Sequence, residues 1–420
     1  MANASTPLGD IVRGLRRTEG WSQEQLAEEA QLSVGTVRNI EQRGHARLET
    51  LSRVAAAFGL TTTELFASGT PLPIGDDSQN RQLLAPLRKV LTPPVGLGLE
   101  PEPEPVAAPV EMPDLAEIRR KIEDGLALIE ADRYDSVARK LPTLLQDSQT
   151  AAAWADEEDR EEAAIVHAHV LLLAAKHLTQ VRQYDMAYQA FVEGIRIARE
   201  QGDQPVAATG VTGLCWLLLR QDRFDECANL AATTAEAVEP KKISVATAGQ
   251  LASWGELCLR VAAASIRNNR PEEAVEARRR AAIASAALGR EHADYRTHWS
   301  RFGPATTELK AIEDLSLAGD GRGVLSRADE GVLSKGSLKS VGRPASASWN
   351  RHRLDVARAH VSLGSTASAM DELDQIRQDA GAWVQHQPMA RYVMEDILRT
   401  RKRTLTQQMR DMAVHLNVQV

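Results

Sequence analysis

Aromatic side chains are scarce, 4% of the 420 residues, and runs rich in Val, Ile, Tyr and Phe are missing. Little is left from which to build a sheet, and an all-β architecture is excluded. Long apolar runs are missing as well. The longest, Val170 to Ala175, is broken by Lys176 and His177 and falls far short of the roughly 20 residues a membrane helix needs, so no membrane partner is expected. Cys215, Cys227 and Cys258 are widely spaced and fit neither a disulfide framework nor a zinc site. The N-terminal stretch has no apolar signal-peptide core, which together with the cysteine usage predicts a cytoplasmic protein. No HExxH, GxGxxG, Walker or GxSxG arrangement occurs. His167 and His169 fall on different faces of a helix, and His292 and His298 lie too far apart in sequence for one helical turn. No enzyme, no metal and no cofactor are expected.

What the chain does have is Ala, Leu, Glu, Gln and Arg throughout, with 43% hydrophobic and 25% charged residues. These are helix formers, and the fold class they predict is all-α, with a helix content of about 70%. Ten of the 18 prolines lie between Pro71 and Pro113, where they remove backbone donors and hold the chain extended. Residues 70–113 therefore read as an acidic, Pro-rich linker between a compact head, 1–69, and a long body, 114–420. A short helix is predicted within it at 81–91. That segment is either part of a spacer or packs on one domain and transmits a signal.

The body repeats one device. Polar turns precede ADRYDSVARKL, VRQYDMAYQAF, QDRFDECANLA, NNRPEEAVEAR, AGDGRGVLSRA and LGSTASAMDEL, each flanked by apolar helical stretches. Small residues, Val137, Ala187, Cys227, Ala274 and Ala369, recur where two helices of a hairpin would approach closely. This spacing predicts about a dozen helices in stacked pairs. The pattern resembles tetratricopeptide repeats and implies a superhelix with a concave binding surface.

The head carries the most specific signal. LGDIVRGLRRTEG sets Leu8, Ile11, Val12 and Leu15 on one helical face, with Gly20 placed to end the helix. Ser22 with Gln25 three residues later is a capping-box pattern that starts a second helix. A turn at Gln31 to Ser33 leads into VGTVRNIEQRG, where Val37 and Ile40 point inward. LETLSRVAAAFG and TTTELFA follow as two shorter helices, with Leu48, Leu51, Val54, Phe58, Leu65 and Phe66 closing the core. Five helices are expected in all.

The residues Ser22-Gln23, Leu26-Ala27, Ser33, Thr36-Val37, Ile40-Glu41, Gly44, Leu51 and Phe58-Gly59-Leu60 closely resemble the Cro/Xre type of helix-turn-helix found in phage repressors and bacterial regulators. The resemblance implies that the helix beginning at Val34 enters the major groove of double-stranded operator DNA, commonly as a homodimer. Val34, Gly35, Arg38 and Asn39 would face base edges, where Arg38 suits guanine, Asn39 adenine and Val34 a thymine methyl. Gln23, Thr36, Arg43, Arg47 and Thr50 would touch phosphates. Glu41 reads as a scaffold residue.

A DNA-reading head followed by such a body resembles the peptide-pheromone-responsive (RRNPP-like) regulators, and the C-terminal stretch resembles regulators of actinomycetes. The implied function is a transcriptional regulator whose body senses a signalling peptide, a protein partner or a small molecule. Asparagines that would hold a peptide backbone are few in the body. Candidate ligand contacts are large or amide-bearing side chains expected on the first helix of each hairpin: Trp216, Trp254, Trp299, Asn350, Arg353 and Arg391. The head is net −1 within a chain of net −7. Its acidity, with Gly35 on the reading face, leaves an interaction scaffold with a degenerate head as the alternative.

Overall fold

The computed structural model describes residues 7–43, 46–60, 62, 65, 77–93, 109, 111–294, 298–385, 387–400 and 404–419. Among the described residues 79% are helical, in keeping with the helix-forming composition. An N-terminal helix-turn-helix domain is followed by a helical repeat-like region.

In the head, α1 (Pro7–Thr18), α2 (Gln23–Glu29), α3 (Val34–Arg43) and α4 (Leu48–Ala57) enclose Leu8, Val12, Leu26, Val37, Ile40 and Val54. Both halves of the capping box form at Ser22 and Gln25, satisfying donors that would otherwise be orphaned at the start of α2. Gln31 then adopts φ 53°, and the Leu32 N–H returns to the Ala27 carbonyl at 2.7 Å. That left-handed step closes α2 and swings the chain into α3. Ser33 caps α3 by accepting from the Thr36 N–H at 3.1 Å. Helices α1 and α3 touch backbone to backbone at Gly9, where a Cβ would lie 2.5 Å from the Glu41 carbonyl oxygen. The expected fifth helix lies largely outside the described residues. Thr62 and Leu65 are described in it, and Leu65 is buried; Phe66 lies outside them.

The linker helix is longer than expected: α5 runs Asp77–Leu91. It is no idle spacer, because Leu84 and Leu87 are buried in the same apolar cluster as the first half of the body. Arg88 donates to the Met186 sulfur at 3.4 Å and to Gln183 Oε1 at 3.3 Å. The rest of the linker lies mostly outside the described residues.

The first half of the body comprises α6 (Leu115–Glu130), α7 (Tyr134–Trp154), α8 (Arg160–Gln180), α9 (Tyr184–Glu200), α10 (Gln204–Arg220), α11 (Phe224–Val238), α12 (Ala248–Arg267) and α13 (Pro271–Leu288). Each packs on the next, and α6, α8, α10 and α12 also pack on one another in order. They form one layer, with α7, α9, α11 and α13 as the other. The small residues read from the repeat, Val137, Ala187, Cys227, Ala274 and Ala369, are all buried. The hairpin turns share a backbone device. Asp132, Arg182, Asp222 and Asn269 have φ of 58°, 61°, 56° and 57°, and the next residue's N–H reaches back to the carbonyl five positions earlier, 2.8–3.0 Å away.

After α13 the chain forms a feature that composition did not suggest. Strands β1 (His292–Asp294) and β2 (His298–Phe302) pair antiparallel, His292 with Phe302 and Asp294 with His298, with a bulge between. Strand β2 packs on α10 and α12. A Cβ at Gly255 would overlap the Phe302 ring at 2.1 Å, so glycine there admits the strand. Helices α14 (Pro304–Leu317), α15 (Gly321–Arg327), α16 (Lys335–Val341), α17 (Ser346–Ser362), α18 (Thr366–Gln385), α19 (Pro388–Thr400) and α20 (Gln407–Leu416) complete the body. It therefore has 15 α-helices among the described residues instead of about a dozen, because the C-terminal third divides into shorter ones. Their apolar residues form two further clusters, around Leu309 and Val324 and around Leu373 and Trp383.

Truncating Leu87, which has no solvent exposure, should destabilise the body by about 2–5 kcal/mol. Urea unfolding of the full chain with Leu87→Ala checks this; a stability change near zero would mean that α5 detaches in solution.

Candidate functional site

Two regions gather the candidate functional residues. The first is the outer face of α3. Val37 and Ile40 anchor the helix in the head core, which turns Gly35, Arg38 and Asn39 to solvent and leaves Val34 half-buried at its start. No hydrogen bond or ion pair engages the Arg38 guanidinium among the described residues. Its charge lies close enough to Glu24 to help hold that carboxyl below its ordinary range, behind the capping hydrogen bonds of α2.

The scaffold reading of Glu41 is correct, but its partners are on other helices. The side chain is 1% exposed. It accepts from Arg16 Nε at 2.6 Å and Nη2 at 3.2 Å, and from Gln23 Nε2 at 2.7 Å. Arg13 lies at 3.6 Å and donates also to the Glu41 backbone carbonyl at 2.7 Å. Burial opposes the charge, yet these donors outweigh it and hold the Glu41 carboxyl below the usual range. One carboxylate thus joins α1, α2 and α3 and sets the angle at which α3 is presented.

The phosphate candidates are distributed unevenly. Gln23 directs its amide N–H inward to Glu41, and the Thr36 hydroxyl shares a 2.8 Å bond with Ser33 Oγ. Thr50 is half-buried, and the Arg43 side chain lies outside the described residues. Arg47 lines a cleft between head and body, with Arg358, Tyr392, Asp396 and Arg399 opposite. The head touches the body again at Thr62, whose N–H and hydroxyl donate to the Asp222 carboxylate at 2.5 and 3.1 Å.

The second region is a cavity of about 190 Å³ in the body, lined from α6, α8, α10 and α12 on one side and from β2, α14, α17 and α18 on the other. Of the ligand candidates, Trp216 and Trp299 meet there, joined by Trp383. Trp299 sits on strand β2 and not on a helix as expected, and its ring stacks on His169 at 5.5 Å. Trp254, Asn350, Arg353 and Arg391 do not line the cavity. Trp254 is buried under Arg280, and Asn350 is buried with its amide toward Ser346. Arg353 pairs with Glu372 and Asp329, and Arg391 donates to the Gln385 carbonyl. These four serve packing and internal pairing.

Sequence reasoning missed the cations of the cavity, Lys176, Arg220, Arg260, Arg301, Lys310 and Arg351. They are scattered over α8, α10, α12, β2, α14 and α17, and no local spacing joins them. Burial lowers Lys176 to about 8 and Arg220 to about 10, and the positive charge of Arg351 adds to the effect on Arg220. Burial also lowers His167 and His177 to about 4, leaving both neutral at pH 7. Among the described residues no group of three His, Cys, Asp or Glu could hold a metal, and no helix is long and apolar enough to cross a membrane.

Residues 12–65 match the helix-turn-helix family, which is a DNA-binding regulatory domain. No curated protein and no solved structure matches the chain.

Removing the Glu41 carboxylate takes away the ion-pair partner of half-buried Arg16, which keeps only its bond to the Trp21 carbonyl, a change that costs about 3 kcal/mol. Hydrogen exchange of the full chain should show faster exchange of the α1 and α3 amides in Glu41→Ala, with the body unchanged. Unaltered exchange in α1 would mean that Glu41 does not hold the head together.

Proposed function

Given a head of DNA-binding type at residues 12–65, we propose that this protein is a sequence-specific transcriptional regulator. It reads operator DNA as a homodimer, and its repeat body senses a signal. The observation that carries the reading is the pair Arg38 and Asn39, exposed on the N-terminal half of α3 and suited to bidentate contact with guanine and adenine. The scaffold alternative therefore has less support, although the head's net charge of −1 remains unusual for DNA binding.

Weak electrostatics bear on assembly. A single head of this charge should bind DNA at nonspecific strength, roughly 10⁻⁴ to 10⁻⁶ M, so tethering two heads supplies the affinity. The body is the part large enough to tether them. Its grip on the head, through Asp222 and Thr62 and around Arg47, is the route by which a change in the body reaches the DNA. Such control requires that the signal bind the docked and released arrangements with different affinities.

Three outcomes test this. Against duplexes enriched from a random pool on the full chain, Arg38→Ala should lose about 1–3 kcal/mol and relax preference at one base pair; equal loss on every sequence would assign Arg38 to phosphate. Sedimentation at operator-binding concentrations should give twice the 45.9 kDa chain mass, and a monomer that binds the operator tightly would rule out the dimer. Asp222→Ala removes the two hydrogen bonds from Thr62 to the body and loosens the docking of the head, so operator affinity should rise by up to about tenfold; weakened binding would show that docking supports the DNA-bound form.

A further inference from the structure

The body cavity is electrically out of keeping with the chain around it. In a protein of net charge −7, six cationic side chains and two carboxylates, Glu130 and Glu256, line one space. Much of this charge is unanswered. Arg260 pairs with Glu256 at 2.7 Å and Lys310 with Glu313 at 2.8 Å, while Arg301 has Glu130 only at 3.9 Å. Lys176, Arg220 and Arg351 form no ion pair with a carboxylate among the described residues: Arg220 meets the Tyr184 hydroxyl, Arg351 donates to Gln387 Oε1 at 3.3 Å, and Lys176 feels Glu130 and Glu256 only from a distance. The Lys176 ammonium donates to the Trp299 carbonyl at 3.0 Å. The Nε atoms of Arg260 and Arg301 are buried with no acceptor. Burying cations without close counter-charges is unfavourable, and the nearby Glu130, Glu256 and Glu313 answer only part of the positive charge gathered at this point.

The apolar part of the lining is equally specific. Arg220 lies over the Trp216 ring, 4.8 Å from its centroid, and Arg351 lies over Trp383 at 5.9 Å. Stacking on a ring occupies the face of a guanidinium, and beyond the bonds of Arg351 to Gln387 and of Arg220 to Tyr184 the edges keep N–H groups for a further acceptor. Three indoles, among them Trp299, thus border a space already rich in donors. Its size is about 190 Å³, where roughly 150 Å³ suffices for benzene.

We infer that this cavity is a binding site for a small organic anion, a carboxylate or phosphate group carried on a flat apolar body of about one ring. Arg220 and Arg351 grip the acid group, and Trp216, Trp299 and Trp383 border the ring. The inference rests on the reading of the body as a sensor and names the chemistry of what it senses. Helices α10 and α17 supply the two arginines, so the anion would join the main cluster of the body to its C-terminal third.

The test uses the full chain, with phenylacetate, its neutral amide phenylacetamide and inorganic phosphate as probes, read by tryptophan fluorescence. Phenylacetate should quench saturably, inorganic phosphate should compete with it, and phenylacetamide should bind about tenfold or more weakly, since only the acid makes charge-assisted bonds. Arg220→Gln and Arg351→Gln should each abolish the preference for the acid without lowering the melting temperature, because each removes a cation that lacks a carboxylate partner. Equal binding of acid and amide, or binding of neither, overturns the site. Lower melting temperatures with acid preference intact would assign the arginines to packing and overturn it equally. Operator titration with and without phenylacetate separates the two readings: anion binding with unchanged DNA affinity upholds the site and removes the sensing role.

Discussion

One backbone step organises both parts of the molecule. A helix ends, a single residue turns left-handed, and the following N–H bonds to the carbonyl five residues back. At Gln31 this step makes the turn of the helix-turn-helix. At Asp132, Arg182, Asp222 and Asn269, and again at Gly319 and Gly364, it makes the hairpins of the body. The motif satisfies carbonyls that a helix end would leave unpaired, and it fixes the direction in which the next helix departs. Only after that direction is set can the small residues at the hairpin starts meet their neighbours. Left-handed backbone is strained for most side chains, and packing on both sides of the turn holds even Arg182 there.

Charge is used in two opposite ways. Buried Glu41 is surrounded by Arg16, Gln23 and Arg13 until its charge is answered, and the result is rigidity: three helices held at one angle. Lys176, Arg220 and Arg351 have no carboxylate partners among the described residues, although other arginines nearby have them, such as Arg267 with Glu313 and Arg278 with Asp314. A saturated cluster builds a scaffold, whereas an unsaturated one holds binding energy in reserve. The same contrast separates Arg38, exposed and unengaged, from Arg353, which the structure encloses between Glu372 and Asp329.

The Asp222 side chain links the two halves. It belongs to the turn between α10 and α11, and α10 carries Trp216 and Arg220 of the cavity. Its carboxylate meets the head at Thr62. Cavity and head thus meet the same hairpin within a few residues of its turn.

What was legible in the sequence was whatever depends on near neighbours. The capping box at Ser22 and Gln25, the inward Val37 and Ile40, the outward Arg38 and Asn39, the polar turns and the buried small residues after them all follow from helical period and local backbone chemistry. Tertiary structure alone decided the rest. It placed the linker helix on the body through Leu84 and Leu87, turned the Gln23 amide inward to Glu41, and put Trp299 on a strand that Gly255 makes room for. It also sorted the ligand candidates, because Trp254 and Arg353 look like Trp216 and Arg351 in sequence and differ only in which partners reach them. The cavity's cations come from six elements more than 170 residues apart at their extremes, Lys176 and Arg351. Electrostatic energy depends on distance in space, and a linear pattern carries no measure of that distance until the helices are stacked.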